Sequence, residues 1–166
     1  MRRPKFLDTI LGVVIGAAAC SAEQPPPMQP SLLGGVSDVL TVLTCSPLPA
    51  TTSSAVIGPA GGTLMVGPHK LVVPSGALAY DVKITASIPS EQNNSIVFQP
   101  EGLQFARTSS LTMSYANCLL PPVLALSVVY TDDALNILEV LSSSLDLRNQ
   151  TVTGKLRHFS RYAVAY

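Results

Sequence analysis

From Ser54 to Tyr166, Gly and Pro interrupt the chain roughly every ten residues, which leaves no room for a long helix. The interruptions are Gly58-Pro59, Gly61-Gly62, Gly67-Pro68, Pro74-Ser75-Gly76 and Pro100-Glu101-Gly102, with Asp132-Asp133 as a further polar turn. Between them lie short runs rich in Val, Ile, Leu, Thr and aromatic residues, the types that fit a pleated and half-buried surface. Preceded by Val36 to Thr44, the runs are Ser54 to Ile57, Gly62 to Val66, Lys70 to Val73, Val82 to Ile88 and Ile96 to Gln99. They continue with Leu111 to Tyr115, Leu124 to Thr131, Ile137 to Leu141, Val152 to Leu156 and Tyr162 to Tyr166. About ten short strands at this spacing predict an all-β fold, an antiparallel β-sandwich.

Within Val82-Lys-Ile-Thr-Ala-Ser-Ile88, apolar and polar residues alternate with a period of two, as in a strand buried on one face. Leu135, Leu138 and Leu141 stand at helical spacing, but the preceding Asp132-Asp133 favours a hairpin there. Pro74 has no N–H to donate and ends a strand. Gly76 and Gly102 stand where a turn requires positive φ. The predicted core is Leu64, Leu71, Val73, Ile84, Phe98, Phe105, Leu111, Met113, Val129, Phe159, Tyr162 and Val164.

The N-terminus follows a different logic. Met1-Arg2-Arg3-Pro4-Lys5 is cationic, and Ile10 to Ala19 is an unbroken run of small and apolar residues. A bilayer-spanning helix needs about 18 to 20 apolar residues, so this run is too short to cross. A charged start, a short apolar stretch and small residues at its end are the layout of a secretory signal peptide, residues 1–19. Ala17-Ala18-Ala19-Cys20 resembles the bacterial lipobox, in which the cysteine sulfur takes a diacylglyceryl group before cleavage. The competing reading is an ordinary cleaved signal beside an incidental Cys20. The Pro-rich stretch after Cys20 favours the lipoprotein, because Pro25-Pro26-Pro27 extends as polyproline II and suits a tether over residues 20–35. Two or three acyl chains suffice for stable anchoring, so the membrane is the first expected partner. In lipoproteins of this kind, Asp after the cysteine holds the protein in the inner membrane. Ser21 therefore points to the outer membrane of the cell envelope.

Cleavage before Cys20 leaves 147 residues with seven basic and nine acidic side chains. That balance gives no cationic excess to release counterions, so no nucleic acid is expected as a partner. Charged residues make up only 12% of the chain against 47% hydrophobic ones, which excludes an intrinsically disordered protein.

With Cys20 acylated, Cys45 and Cys118 remain. An even pair in an exported chain reads as a disulfide. A zinc site built from Cys45, His69, Cys118 and His158 is the alternative, but no pair has the spacing of a local chelate. No metal and no cofactor is expected. Neither Gly-x-Ser-x-Gly nor Ser-x-x-Lys occurs. The carboxylates are scattered, and the adjacent Asp132-Asp133 reads as a solvated turn.

One ordered set of motifs goes beyond generic β sequence. Gly61-Gly62-Thr63-Leu64 is followed by Leu71-Val-Val-Pro74-Ser-Gly76-Ala77-Leu78 and Pro100-Glu-Gly102-Leu-Gln-Phe105. Then come Met113-Ser-Tyr115-Ala-Asn-Cys118 and a closing Phe159-Ser-Arg-Tyr162-Ala163-Val164. This order resembles the ZU-five domain of zonula-occludens scaffolds, netrin receptors and ankyrins, across residues 54–166 of a β-sandwich domain expected over 36–166. The resemblance implies a non-catalytic module for protein–protein interaction. It also touches His158-Phe159-Ser160, since a matching tripeptide is an autoproteolysis site in some death-domain relatives. There Ser160 would attack the Phe159 carbonyl with His158 as general base. Most members of that family are not cut, and an intact chain is expected, as is an absence of enzymatic turnover.

Overall fold

The computed structural model describes residues 40–120 and 125–166. The signal peptide, Cys20, the tether, Val36 to Val39 and the first residue of the run Leu124 to Thr131 lie outside the described residues.

Among the described residues, eleven strands form two antiparallel sheets, one more strand than the approximate count expected and in the expected architecture. The first sheet runs in the order β1 (Thr51–Ile57), β4 (Val82–Ile88), β5 (Ser95–Gln99), β11 (Arg161–Ala165), β7 (Ser127–Thr131) and β8 (Ile137–Val140). The second is ordered β2 (Gly62–Val66), β3 (His69–Val73), β6 (Gln104–Ser114), β10 (Thr151–His158) and β9 (Ser143–Asp146).

The core lies between the sheets, where strands such as β2 and β4 turn their alternate apolar residues inward. Ile84, Ala86 and Ile88 of β4 face inward, as do Leu64 and Val66 of β2. Every residue of the predicted core is buried. Val129 differs from the rest in belonging to a separate small cluster with Ala163 and Ala165, against which Val42, Leu135 and Ile137 pack. Val73 is the last residue of β3, just before Pro74, and Gly76 and Gly102 adopt φ of 75° and 74°.

Several boundaries differ from expectation. The run Val36 to Thr44 forms no strand among its described residues. It makes isolated bridges at Val42 and Thr44, and Leu43 N–H donates to the Val164 carbonyl at 2.8 Å. The segment therefore borders β11 beyond the end of β5 and goes no further. The run Leu111 to Tyr115 is the end of a longer strand that starts at Gln104. Ser143–Asp146 was not expected as a strand at all. In agreement with the sequence, Ala134 to Leu141 forms no helix and returns the chain in the β7–β8 hairpin, with a register shift between Tyr130 and Thr131.

Candidate functional site

The chain changes sheets twice in the region that carries the site. At the first crossover, β8 leaves the first sheet, Leu141 N–H donates to the Val128 carbonyl at 3.0 Å, and the chain enters β9 of the second sheet. At the second, only Phe159 and Ser160 separate β10 from β11. A two-residue crossover between packed sheets drives its central side chain into the core. The Phe159 ring stacks on Phe98 at 4.7 Å between centroids and meets Phe105 edge-on at 4.9 Å. Its N–H donates to the Leu103 carbonyl, and its carbonyl accepts from Gly102 N–H, both at 2.9 Å.

The three residues of the autoproteolysis motif are adjacent in sequence, but their side chains serve different surroundings. His158 packs its ring against Tyr130 at 5.0 Å, and the Tyr162 hydroxyl donates to the His158 carbonyl at 2.5 Å. The same hydroxyl stands 3.5 Å from His158 Nδ1. Burial, with Glu139 and Tyr130 nearby, raises the Tyr162 phenol well above its ordinary pKa, so it stays a donor. Ser160 instead opens onto a cleft of about 290 Å³ shared with Glu101, Asp133 and Arg161. Among the described residues, no hydrogen bond joins Ser160 to His158. The structure sets Ser160 and His158 at the same crossover without joining their side chains by a hydrogen bond among the described residues.

Asp132 lines the same small cleft as Ser160. Both of its carboxylate oxygens accept from Asn136, at 2.9 Å from the backbone and 2.8 Å from the side chain. Those bonds, the side-chain one foremost, hold its carboxyl below the ordinary range. It closes the β7–β8 turn.

Cys45 and Cys118 are joined as a disulfide. They are therefore not a pair of thiolate ligands, and His69 lies buried in β3 with Nδ1 accepting the Ser114 N–H at 3.1 Å. Among the described residues, no three His, Cys, Asp or Glu side chains gather into one cluster.

The larger opening is a groove of about 670 Å³ between the β8 edge and β10. It exists because β10 and β6 part company. Leu156 pairs with Ser109 and His158 with Gln104, so five residue steps of β6 run against two of β10. The surplus is drawn away, with Ala106 N–H donating to the Ala77 carbonyl and Arg107 Nη1 to the Ser75 carbonyl. Bulges of this kind re-aim side chains at a sheet rim. Lys155, Arg157 and His158 of β10 line this opening together with Glu139 of β8 and with Gln104 and Thr108 of β6. Sequence reasoning found His158 but missed Arg157, Lys155 and Glu139, because their meeting depends on a register shift with no local signature.

Beside this groove the outer edge of β8 is unpaired among the described residues. Leu138 is 54% exposed and Val140 47% exposed, an apolar edge without the Lys or Pro that usually guards one. The class the fold defines is an antiparallel two-sheet sandwich, with exposed apolar residues on the β8 edge. No protein-family model matches the chain, and no curated protein matches it.

Proposed function

We propose that this is a lipid-anchored protein of the cell envelope, held through acyl chains on Cys20, whose non-catalytic β-sandwich binds another protein. The outer membrane is the favoured location, as Ser21 suggests. The resemblance of the ordered motifs to the ZU-five domain supports a scaffold role. The observation that carries the reading is the β8 edge, where Leu138 and Val140 stand exposed on a strand with a free row of backbone donors and acceptors. Such an edge attracts another chain unless something covers it.

The reading is tested with a photo-crosslinking residue placed at Leu138 and, as a control, at Val56, which is 67% exposed on β1 at the opposite edge of the same sheet. Irradiated envelope membranes should give one discrete adduct from position 138 and none from position 56. The adduct should form again from the two purified proteins. No adduct at 138, or the same adducts from both positions, would remove the basis of the proposal.

A further inference from the structure

Two cationic side chains and one carboxylate line the groove beside β8. Lys155 Nζ donates to Ser110 Oγ at 2.9 Å, while the Arg157 guanidinium has no hydrogen-bond or ion-pair partner among the described residues. A guanidinium left open at the mouth of a groove matches a carboxylate, which it can grip with two parallel hydrogen bonds.

The strand register says how that carboxylate would arrive. Val140 lies opposite Val129, whose side chain belongs to the outer apolar cluster, and Glu139 lies opposite Tyr130, which packs towards the core. The two faces of β8 are thus distinct: Val140 looks to the outer face and Glu139 to the groove. A strand added outside β8 inherits this alternation at Glu139 and Val140, because paired residues of neighbouring strands share a face, while Leu138 is the extra residue of the β7–β8 bulge. Side chains of the added strand on the Glu139 face would then stand over the groove, and those on the other face would lie beside Val140.

We propose that β8 accepts an extended segment of a partner protein in which Asp or Glu alternates with apolar residues, the carboxylates being held by Arg157 and Lys155. The proposal rests on the protein-binding reading above and adds the mode of docking and the chemistry of the partner. Backbone pairing along β8 supplies affinity, and the side chains that alternate between groove and outer face supply specificity. A second copy of this chain fits less well, because β8 (Ile137–Val140) offers Glu139 alone, with Ile137 and Leu141 two positions away where a further carboxylate would be needed.

The experiment is selection of random peptides displayed on phage against the immobilised full-length chain in detergent. Enriched sequences should carry Asp or Glu at every second position with Val, Ile or Thr between. When bound, they should slow hydrogen exchange at the Leu138 and Val140 amides. Arg157→Gln should weaken them about tenfold, the loss of one charge-assisted pair, and about 0.5 M salt should weaken them similarly. Glu139→Gln should tighten binding about twofold. Arg157 is exposed, and an unchanged thermal midpoint for the variant shows that its fold is kept.

Neutral peptides that protect β8 and bind Arg157→Gln as well as the parent would overturn the charge assignment while leaving the protein-binding reading in place. An absence of enrichment, or protection elsewhere than β8, would overturn both. A concentration-dependent dimer in sedimentation velocity with β8 protected would assign the edge to a second copy and overturn the proposal.

Discussion

Asn94 and Asn117 form a reciprocal amide pair, each side-chain nitrogen donating to the other's carbonyl oxygen, at 2.7 and 3.0 Å. The second N–H of each is used as well. Asn94 donates to the Ser114 carbonyl at 2.7 Å and Asn117 to the Ser46 carbonyl at 2.6 Å. Four donors are thus satisfied at a site where Asn94 is buried, and the pair binds the start of β5 to the end of β6 beside Cys118.

Asn94→Ala is therefore expected to cost about 2 to 3 kcal/mol, because it removes the Asn94 donor from the Ser114 carbonyl and leaves the Asn117 amide with only its bond to the Ser46 carbonyl. The double variant Asn94→Ala/Asn117→Ala should cost less than the sum of the two single ones. Urea midpoints of the four proteins give the cycle directly, and strict additivity would show that the two amides do not act together.

The disulfide closes the same corner. Cys45 and Cys118 stand 73 residues apart. On the chain-entropy model a loop of that length contributes about 4 kcal/mol by restricting the unfolded chain. Non-reducing peptide mapping should recover the crosslinked pair, and Cys45→Ala/Cys118→Ala should lower the urea midpoint accordingly. Recovery of two alkylatable thiols from exported protein would exclude the bond.

Anchoring is predicted from the boundary Ala17-Ala18-Ala19-Cys20. Wild-type protein should partition into detergent with an added acyl mass on Cys20. Cys20→Ala should appear as unprocessed precursor or as soluble protein. Unmodified, fully soluble protein from the wild-type gene would end the lipoprotein reading.

How much of this was legible depended on whether the signal was local. The bounds of β2 and β4 follow from the turn residues beside them and from strict alternation. Strand β9, Ser-Ser-Leu-Asp, was invisible because an edge strand with half-exposed faces carries no apolar period. The first half of β6 failed for the same reason, since Ala106, Arg107 and Thr108 are all exposed. Val36 to Thr44 misled in the other direction. Its β-branched residues suit a strand, but the place beside β11 is taken by β5 and only a short stretch remains. The Asn pair joins residues 23 positions apart and the groove depends on the β10–β6 register shift, and no local pattern encodes either.

His69 should make the fold acid-sensitive. It is fully buried, its Nε2 has no partner among the described residues, and burial lowers its pKa from 6.5 to about 4. The unfolded chain then takes up this proton more readily than the folded one. The contribution is complete above pH 6.5 and is lost as the pH falls through about 4, by about 3 kcal/mol in all. Against His69→Gln, whose amide oxygen can still accept the Ser114 N–H, the parent should lose that much more stability between pH 7 and pH 4. Parallel curves for the two proteins would show that His69 does not set the acid limb.

The last prediction concerns the Phe159–Ser160 bond. Cleavage by an N-to-O shift needs the Ser160 hydroxyl driven onto the Phe159 carbonyl, and the surroundings of that bond are those of an ordinary crossover. The carbonyl is engaged by Gly102 N–H, and the Ser160 carbonyl accepts from Phe98 N–H at 3.1 Å. Neither Phe159 nor Ser160 has the positive φ seen at Leu135 and Gln150. His158 is occupied with Tyr130 and Tyr162. Phe159 is expected to act through packing, so that Phe159→Ala costs about 3 to 5 kcal/mol in urea unfolding. Ser160→Ala should leave the covalent chain unchanged. Intact mass spectrometry of the denatured protein decides the matter, because a cut would release Ser160 to Tyr166 as a separate peptide. A species ending at Phe159 in the parent and absent from Ser160→Ala would establish autoproteolysis in place of the structural role.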